Sequence, residues 1–340
     1  MEAFLSKKSI FLNNLSLLTS ILFIFLLLTN PVKSSHLVLS ALTTWCTKMI
    51  PSLFPFMVLS GILLRTGLSF RLSKLLYPLL GSLFRLSPNC IYVIFMGFLC
   101  GFPMGANIIA ESLSLKKITE CEANLLLAFC NNIGPVYFIS FASVLCPYYP
   151  LCISLSIMYL VPLCYGLVLR YTRYRDIPLY KKKLFHKFKS TYKYNNPNSD
   201  NIFAKNRTAY ESNSTVSFGN TLQESLQKAI SSILYLGGYM VIFTVLQLPF
   251  YNSYYQLPEP YIHILKGLLE ISSGITALQP YPELYGIVYA LLLPFCGLCC
   301  LYQTYAMIQE TPLSLASYLK HKLAQTLCTI FIYGVIICCS

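Results

Sequence analysis

The sequence predicts an all-α polytopic membrane protein organised as two inverted repeats, each with a re-entrant helical hairpin and a broken transmembrane helix. Three observations predict it. Hydrophobic residues make up 56% of the 340 and charged residues 11%, against roughly 25% charged in an ordinary soluble domain. Apolar runs recur to the last residue, whereas a secretory signal would be a single run near the N-terminus. Several runs are interrupted at mid-length by Gly, Pro and Asn, and the interruptions come in the same order in both halves.

The first run, Ile10 to Thr29, has about the 20 residues needed to cross a hydrocarbon core. Lys7 and Lys8 precede it, which predicts a cytoplasmic N-terminus. Leu37 to Ile50 is amphipathic and carries Trp45 beside Lys48, the pattern of an interfacial helix. Pro51 then opens a span, Ser52 to Leu64. Arg65, Arg71, Lys74 and Arg85 put its far end inside, and Phe70 to Leu86 reads as a helix on the cytoplasmic surface.

Ile91 to Ala110 is apolar enough to cross but contains Gly97, Gly101-Phe102-Pro103-Met104-Gly105 and Asn107, which break a helix. Lys116 and Lys117 follow, so both ends face the cytoplasm and the segment reads as a re-entrant hairpin. Glu111, Glu120 and Glu122 are expected to form a solvated pairing with these lysines. Ile118 to Cys146 is helical up to Asn131-Asn132-Ile133-Gly134-Pro135, unwinds there, and resumes at Val136. Irregular backbone at membrane depth is tolerated only in a protein interior or beside a water-filled cavity. Leu151 to Leu169 returns to the cytoplasm.

Of the 25 Lys and Arg, 11 lie between Arg170 and Arg207. Tyr171 to Thr221 is basic, then rich in Asn, Ser and Thr, and predicts a solvated cytoplasmic linker. Charge in such a loop sets orientation, and no folded basic domain accompanies it, so the net charge of +13 does not imply nucleic acid.

The second half repeats the order. Leu222 to Leu248 is a span, Ile262 to Leu278 a second hairpin around Glu270-Ile271-Ser272-Ser273-Gly274, and Leu284 to Ile308 a span broken at Pro294-Phe295-Cys296-Gly297. Lys320 and Lys322 mark the cytoplasmic side before the last span, Leu323 to Cys339. The domains are therefore an N-terminal helix (1–36), a first repeat (37–170), the linker (171–221) and a second repeat (222–340).

Paired breaks in inverted halves point to a transporter with its substrate near the midplane. Half-helix N-termini offer N–H groups to an anion, and unwound carbonyls can hold a cation. The candidate substrate-binding residues are Gly101, Pro103, Gly105, Asn107, Asn131, Asn132, Gly134, Pro135, Glu270, Ser272, Ser273, Gly274, Gly297, Gln303 and Thr304. An intramembrane carboxylate such as Glu270 is a functional hypothesis by default; a residue at headgroup level is the bland alternative. For the Gly and Asn motifs, the bland alternatives are close helix packing and interhelical hydrogen bonds.

Enzymatic chemistry is not expected. The four His are scattered, no P-loop or G-x-S-x-G occurs, and Cys296-Gly297-Leu298-Cys299-Cys300 lacks partners for four metal ligands. No catalytic residue, metal or cofactor is therefore assigned.

Gly101-Phe102-Pro103-Met104-Gly105-Ala106, Glu122-Ala123 and Phe129-Cys130-Asn131-Asn132-Ile133-Gly134-Pro135 together resemble the sporulation integral membrane proteins of the YlbJ type, in the nucleoside-recognition (Gate) superfamily. Ala128 replaces the serine usual in that family. Pro51-Ser52-Leu53-Phe54-Pro55-Phe56, Leu269 to Gly274, and Gly297 with Gln303 look similar too. The likeness covers residues 37–340 apart from the linker. It implies a role in endospore formation, residence in the cell membrane, specifically the outer forespore membrane, and a small-molecule substrate, dipicolinate, moved from mother cell toward forespore. A nucleoside-type transporter and a non-transporting scaffold are the alternatives. A homo-oligomer is compatible with either.

Overall fold

In the computed structural model of the chain, residues 17, 20, 21, 23–139, 151–180, 218–251 and 258–339 are described. The start of the first apolar run (10–16), residues 140–150 of the broken segment, linker residues 181–217 and loop residues 252–257 lie outside them. The described residues form helices and turns and contain no strand.

The first long helix, α1, runs unbroken over Pro31–Arg65. The interfacial helix expected over Leu37 to Ile50 is therefore not a separate element. A wide π-type turn at Trp45–Met49 precedes Pro51, loosening the helix where the proline ring would crowd the preceding turn. Ser52 takes up the Lys48 carbonyl at 2.7 Å. Trp45 is an anchor between helices: its Nε1 donates to the Ile233 carbonyl at 3.0 Å. The indole lies so close to Gly237 that an added Cβ there would sit 2.5 Å from the ring.

Next, α2 (Leu68–Phe84) is bent 96° from α3 (Pro88–Cys100). Gly67 starts α2 at φ 72°. Ser87 and Pro88 start α3 with a side-chain cap and a preset φ. In α2, Ser69, Ser73, Tyr77 and Phe84 turn inward while Leu75, Leu79 and Leu83 are exposed. Then come α4 (Met104–Ser114), α5 (Glu120–Cys130), a single helical turn at Pro135–Tyr137, and α6 (Leu151–Tyr171). A Thr119/Glu122 capping box starts α5.

In the second half, α7 (Phe218–Val245), α8 (Glu259–Leu269) and α9 (Ile271–Leu278) lead to α10 (285–295), α11 (Gly297–Ile308) and α12 (Leu315–Cys339). Among the described residues, four helices are long and apolar enough to cross a membrane, or five if each bent pair is one span. The protein is thus an all-helical integral membrane protein. The halves interleave: α7 lies along α1, α11 against α4, and α12 against α5. One buried apolar cluster joins α1–α5 to α7 and α11, and a second gathers around α9, α10 and α12.

Candidate functional site

Each half brings two helix breaks together. In the first, Gly101 ends α3 at φ 78°, a conformation that favours glycine. A Cβ there would fall 2.3 Å from the Gly134 nitrogen. Gly105 packs as closely on the Cys130 carbonyl. The Phe102 N–H donates to the Asn132 carbonyl at 2.6 Å, tying the two breaks directly. Pro135 begins the single turn after the second break. These glycines thus let two unwound backbones touch.

In the second half, Gly274 and Gly267 meet just as closely, with 2.0 Å from an added Cβ to the facing Cα. Gly297, at φ 77°, faces the carbonyls of Gly267 and Leu268 at the end of α8. Cys296 breaks the α10–α11 segment in a left-handed conformation. The cysteines of the C-x-x-C are buried free thiols.

The polar side chains complete these junctions. Asn131 Nδ2 donates to Thr304 Oγ1 at 2.9 Å and Tyr318 Oη at 3.1 Å, and its Oδ1 accepts from the Ala106 N–H at the start of α4. One amide therefore links α4, α5, α11 and α12. Thr304 in turn donates to the Cys300 carbonyl. Asn132 reaches back to the Phe129 carbonyl with Nδ2. Glu270 is the N-cap of α9: its carboxylate oxygens accept from the Ser272 N–H at 3.0 Å and the Ser273 N–H at 2.8 Å. It is buried. Ser272 Oγ pairs with Tyr137 Oη at 2.9 Å, and Ser273 accepts from Gln247 at 2.7 Å.

Between the junctions lies a cavity of about 40 Å³, room for about three waters at roughly 10–15 Å³ each. Phe102, Gly134, Glu270, Ser272, Cys300 and Gln303 line it, and α1 and α7 close its sides. Gln303 also donates to the Leu236 carbonyl of α7 at 3.3 Å. Of the predicted substrate-binding residues only Gly134, Glu270, Ser272 and Gln303 line the cavity; the others stand in the junctions around it, except Asn107, which lies a turn along α4, half-buried.

Sequence reading missed several residues here. Lys322, expected as a cytoplasmic marker, is 2% exposed. Its ammonium donates to Asn132 Oδ1 at 3.0 Å and to the Asn131 carbonyl at 3.2 Å. Tyr318 donates to the same carbonyl, and Gln325 to that of Ala128 at 2.5 Å. Together with Asn132, this face of α12 occupies carbonyls left free where α5 stops. Tyr318, Lys322, Gln325 and Thr329 recur at helical spacing, a signal of one polar face that was available. Lys266, in α8, is also buried, with its ammonium 3.5 Å from the Tyr251 ring centre.

The acidic residues near Lys116 behave differently from expectation. Glu111 is buried and pairs with Arg65 of α1 at 2.5 Å. Arg65 also reaches Glu224 of α7 at 3.0 Å, and Lys228 lies 3.8 Å from Glu111. The cluster therefore joins α1, α4 and α7. Lys117 donates to the Leu64 carbonyl beside it. Burial pushes the Lys117 ammonium down to about 8; Glu111 opposes this and Arg65 adds to it. Glu122 serves the α5 cap.

The fold and site define a multi-span helical membrane protein whose broken helices meet around a small cavity. Residues 46–160, from within α1 into α6, match the nucleoside-recognition (Gate) family model. Over 343 aligned residues the chain is 26% identical to the sporulation integral membrane protein YlbJ of Bacillus subtilis (strain 168), covering 91% of this chain and 80% of that protein. The chain is accordingly an integral membrane protein similar to the YlbJ-type sporulation proteins, with a match to the Gate family over residues 46–160, the likeness its motifs implied. No solved structure matches it.

Proposed function

We propose that the chain is a secondary transporter or facilitator of a small polar metabolite, which it takes between the two junctions. One observation carries this reading: breaks from both halves line the same small cavity. Unwound backbone beside a cavity is how membrane transporters present N–H and carbonyl groups to a solute. A cavity of about 40 Å³ holds water and not a metabolite, so this arrangement is a closed state and transport requires the junctions to part.

In this reading, residues 37–170 and 222–340 are inverted repeats, with α3–α4 and α8–α9 as their re-entrant hairpins. The matched contacts, Gly101 on Gly134 and Gly297 on the end of α8, support that pairing. The N-terminus and linker 171–221 then face the cytoplasm. The name of the Bacillus relative supports a role in sporulation. Within that role, dipicolinate is the substrate, moved across the outer forespore membrane, and the protein does no chemistry on it.

Dipicolinate uptake by liposomes holding the purified protein, in competition with uridine, tests the substrate. Uridine uptake alone would replace dipicolinate with a nucleoside. Forespore dipicolinate in strains carrying Asn131→Ala, Asn132→Ala or Glu270→Gln, at matched protein level, tests the site. Normal accumulation in all three sinks it. Sensitivity only to deletion of Lys181 to Lys205 would favour a scaffold that docks a partner through the linker.

A further inference from the structure

We infer that α2 and the strap that leaves α6, residues 171–180, form one binding surface for anionic phospholipid, with a stripe of leucines for the acyl chains and a group of arginines for the headgroup phosphates. The inference does not depend on what the chain transports. It starts from a departure from the sequence reading: the first residues of the expected solvated linker are folded onto the end of α2. Arg170, fully buried, holds them there. Its Nε donates to the Phe84 carbonyl of α2 at 3.1 Å, and Nη1 and Nη2 donate to the Tyr174 and Ile177 carbonyls at 2.7 and 2.9 Å. Tyr171 Oη donates to the Leu83 carbonyl at 2.6 Å, and the Tyr180 N–H to the Arg85 carbonyl at 3.0 Å. The Tyr180 ring meets Tyr77 of α2 edge-on with centroids 5.8 Å apart, and Ile177 is buried beneath the strap. One guanidinium thus binds three carbonyls and pins the strap to α2.

What this packing leaves outside is positive charge. Arg173 and Arg175 of the strap are exposed, as are Arg71, Lys74 and Arg85 along α2 and at its end. None of the four exposed guanidinium groups is in a hydrogen bond or an ion pair among the described residues. Asp176 is the one acidic residue in α2 and the strap, so five basic residues stand against one. Beside them, Leu75 and Leu79 are 76% and 75% exposed, and Leu83 continues the row. Residues four apart share one side of a helix, so these leucines make a stripe, with Arg71 one turn before it. Because α2 is bent 96° from α3, it runs along the bilayer surface where α3 enters. A helix lying in that plane with leucines and basic residues outward sets the first among acyl chains and the second at headgroup level, and anionic lipid strengthens the hold. The leucines decide the occupant: an acidic soluble protein would meet the arginines but leave the stripe in contact with water. The strap decides against charges that merely set orientation, since those need no fixed backbone.

Purified full-length protein in neutral detergent is titrated with fluorescent dioleoyl phosphatidylglycerol and, separately, dioleoyl phosphatidylcholine. Phosphatidylglycerol should bind about tenfold more tightly at low salt and lose most of that advantage at about 0.5 M sodium chloride. Arg173→Ala with Arg175→Ala should weaken phosphatidylglycerol about fivefold for each arginine removed, leaving phosphatidylcholine binding and the melting temperature unchanged. Leu75→Gln with Leu79→Gln should instead weaken both lipids alike. Equal binding of the two lipids, or an unchanged preference in the arginine variant, overturns the inference. So does inorganic phosphate that competes as strongly as the lipid, because the leucines would then contribute nothing.

Discussion

At the first junction the broken end of α5 is a helix C-terminus, and the charge set against it is an ammonium from Lys322, 191 residues along the chain from Asn131. At the second, the broken start of α9 is a helix N-terminus, and its charge is the carboxylate of Glu270, the residue at the break itself. Both signs match the helix dipole they face. The difference lies in range. The Glu270 cap is made by its own backbone two and three residues on, so it can form as α9 forms. The Lys322 seat exists only once α12 has docked on α5, so it reports the union of the two halves.

That contrast can be broken first at the backbone. Gly101→Ala sets a Cβ against Gly134 and a side chain at positive φ; the expected loss is on the order of 4 kcal/mol, read as loss of monodisperse protein in detergent. Gly274→Ala should cost as much at the second junction. A variant of either kind melting within a few degrees of the parent would mean the touching backbones are dispensable. Asn131→Ala removes the amide that links four helices and should cost about 2–3 kcal/mol in thermal unfolding. Glu270→Gln keeps one acceptor for the α9 N-terminus and should cost only about 1 kcal/mol. If the Glu270 variant proves the more damaging of the two, the local-versus-distant distinction is wrong. The smallest effect is a gain: Gly238, on the exposed side of α7, has nothing within 4 Å of an added Cβ. Gly238→Ala should therefore stabilise by about 0.5–1 kcal/mol. Destabilisation there would indicate that something packs on that face.

Much of the site was legible in the sequence because glycine and proline act on their own backbone. The breaks at Gly101–Pro103, Asn131–Gly134 and Cys296–Gly297 lie where those residues disallow a helix. The partners of Trp45 and Lys322 were not legible, although the spacing around Lys322 marked a polar face. An indole beside a lysine looks the same whether it meets headgroups or Gly237. A lysine before a terminal apolar run counts as a loop charge until a distant carbonyl is found to receive it. Glu111 was misread for the same reason: its partner, Arg65, belongs to another helix, and sequence proximity favoured Lys116 and Lys117.

By itself, then, the sequence determined that the chain lives in a membrane, that it is helical, and where its helices fail. Hydrophobic excess and local backbone restriction act within a few residues and need no partner. Only the tertiary structure decided which failures meet, that they close on one small cavity, and that a lysine, a glutamate and two asparagines hold them. Apart from the local Glu270 cap, those outcomes depend on contacts between segments distant in the chain, where burial turns a polar group into either a liability or a fixed bond.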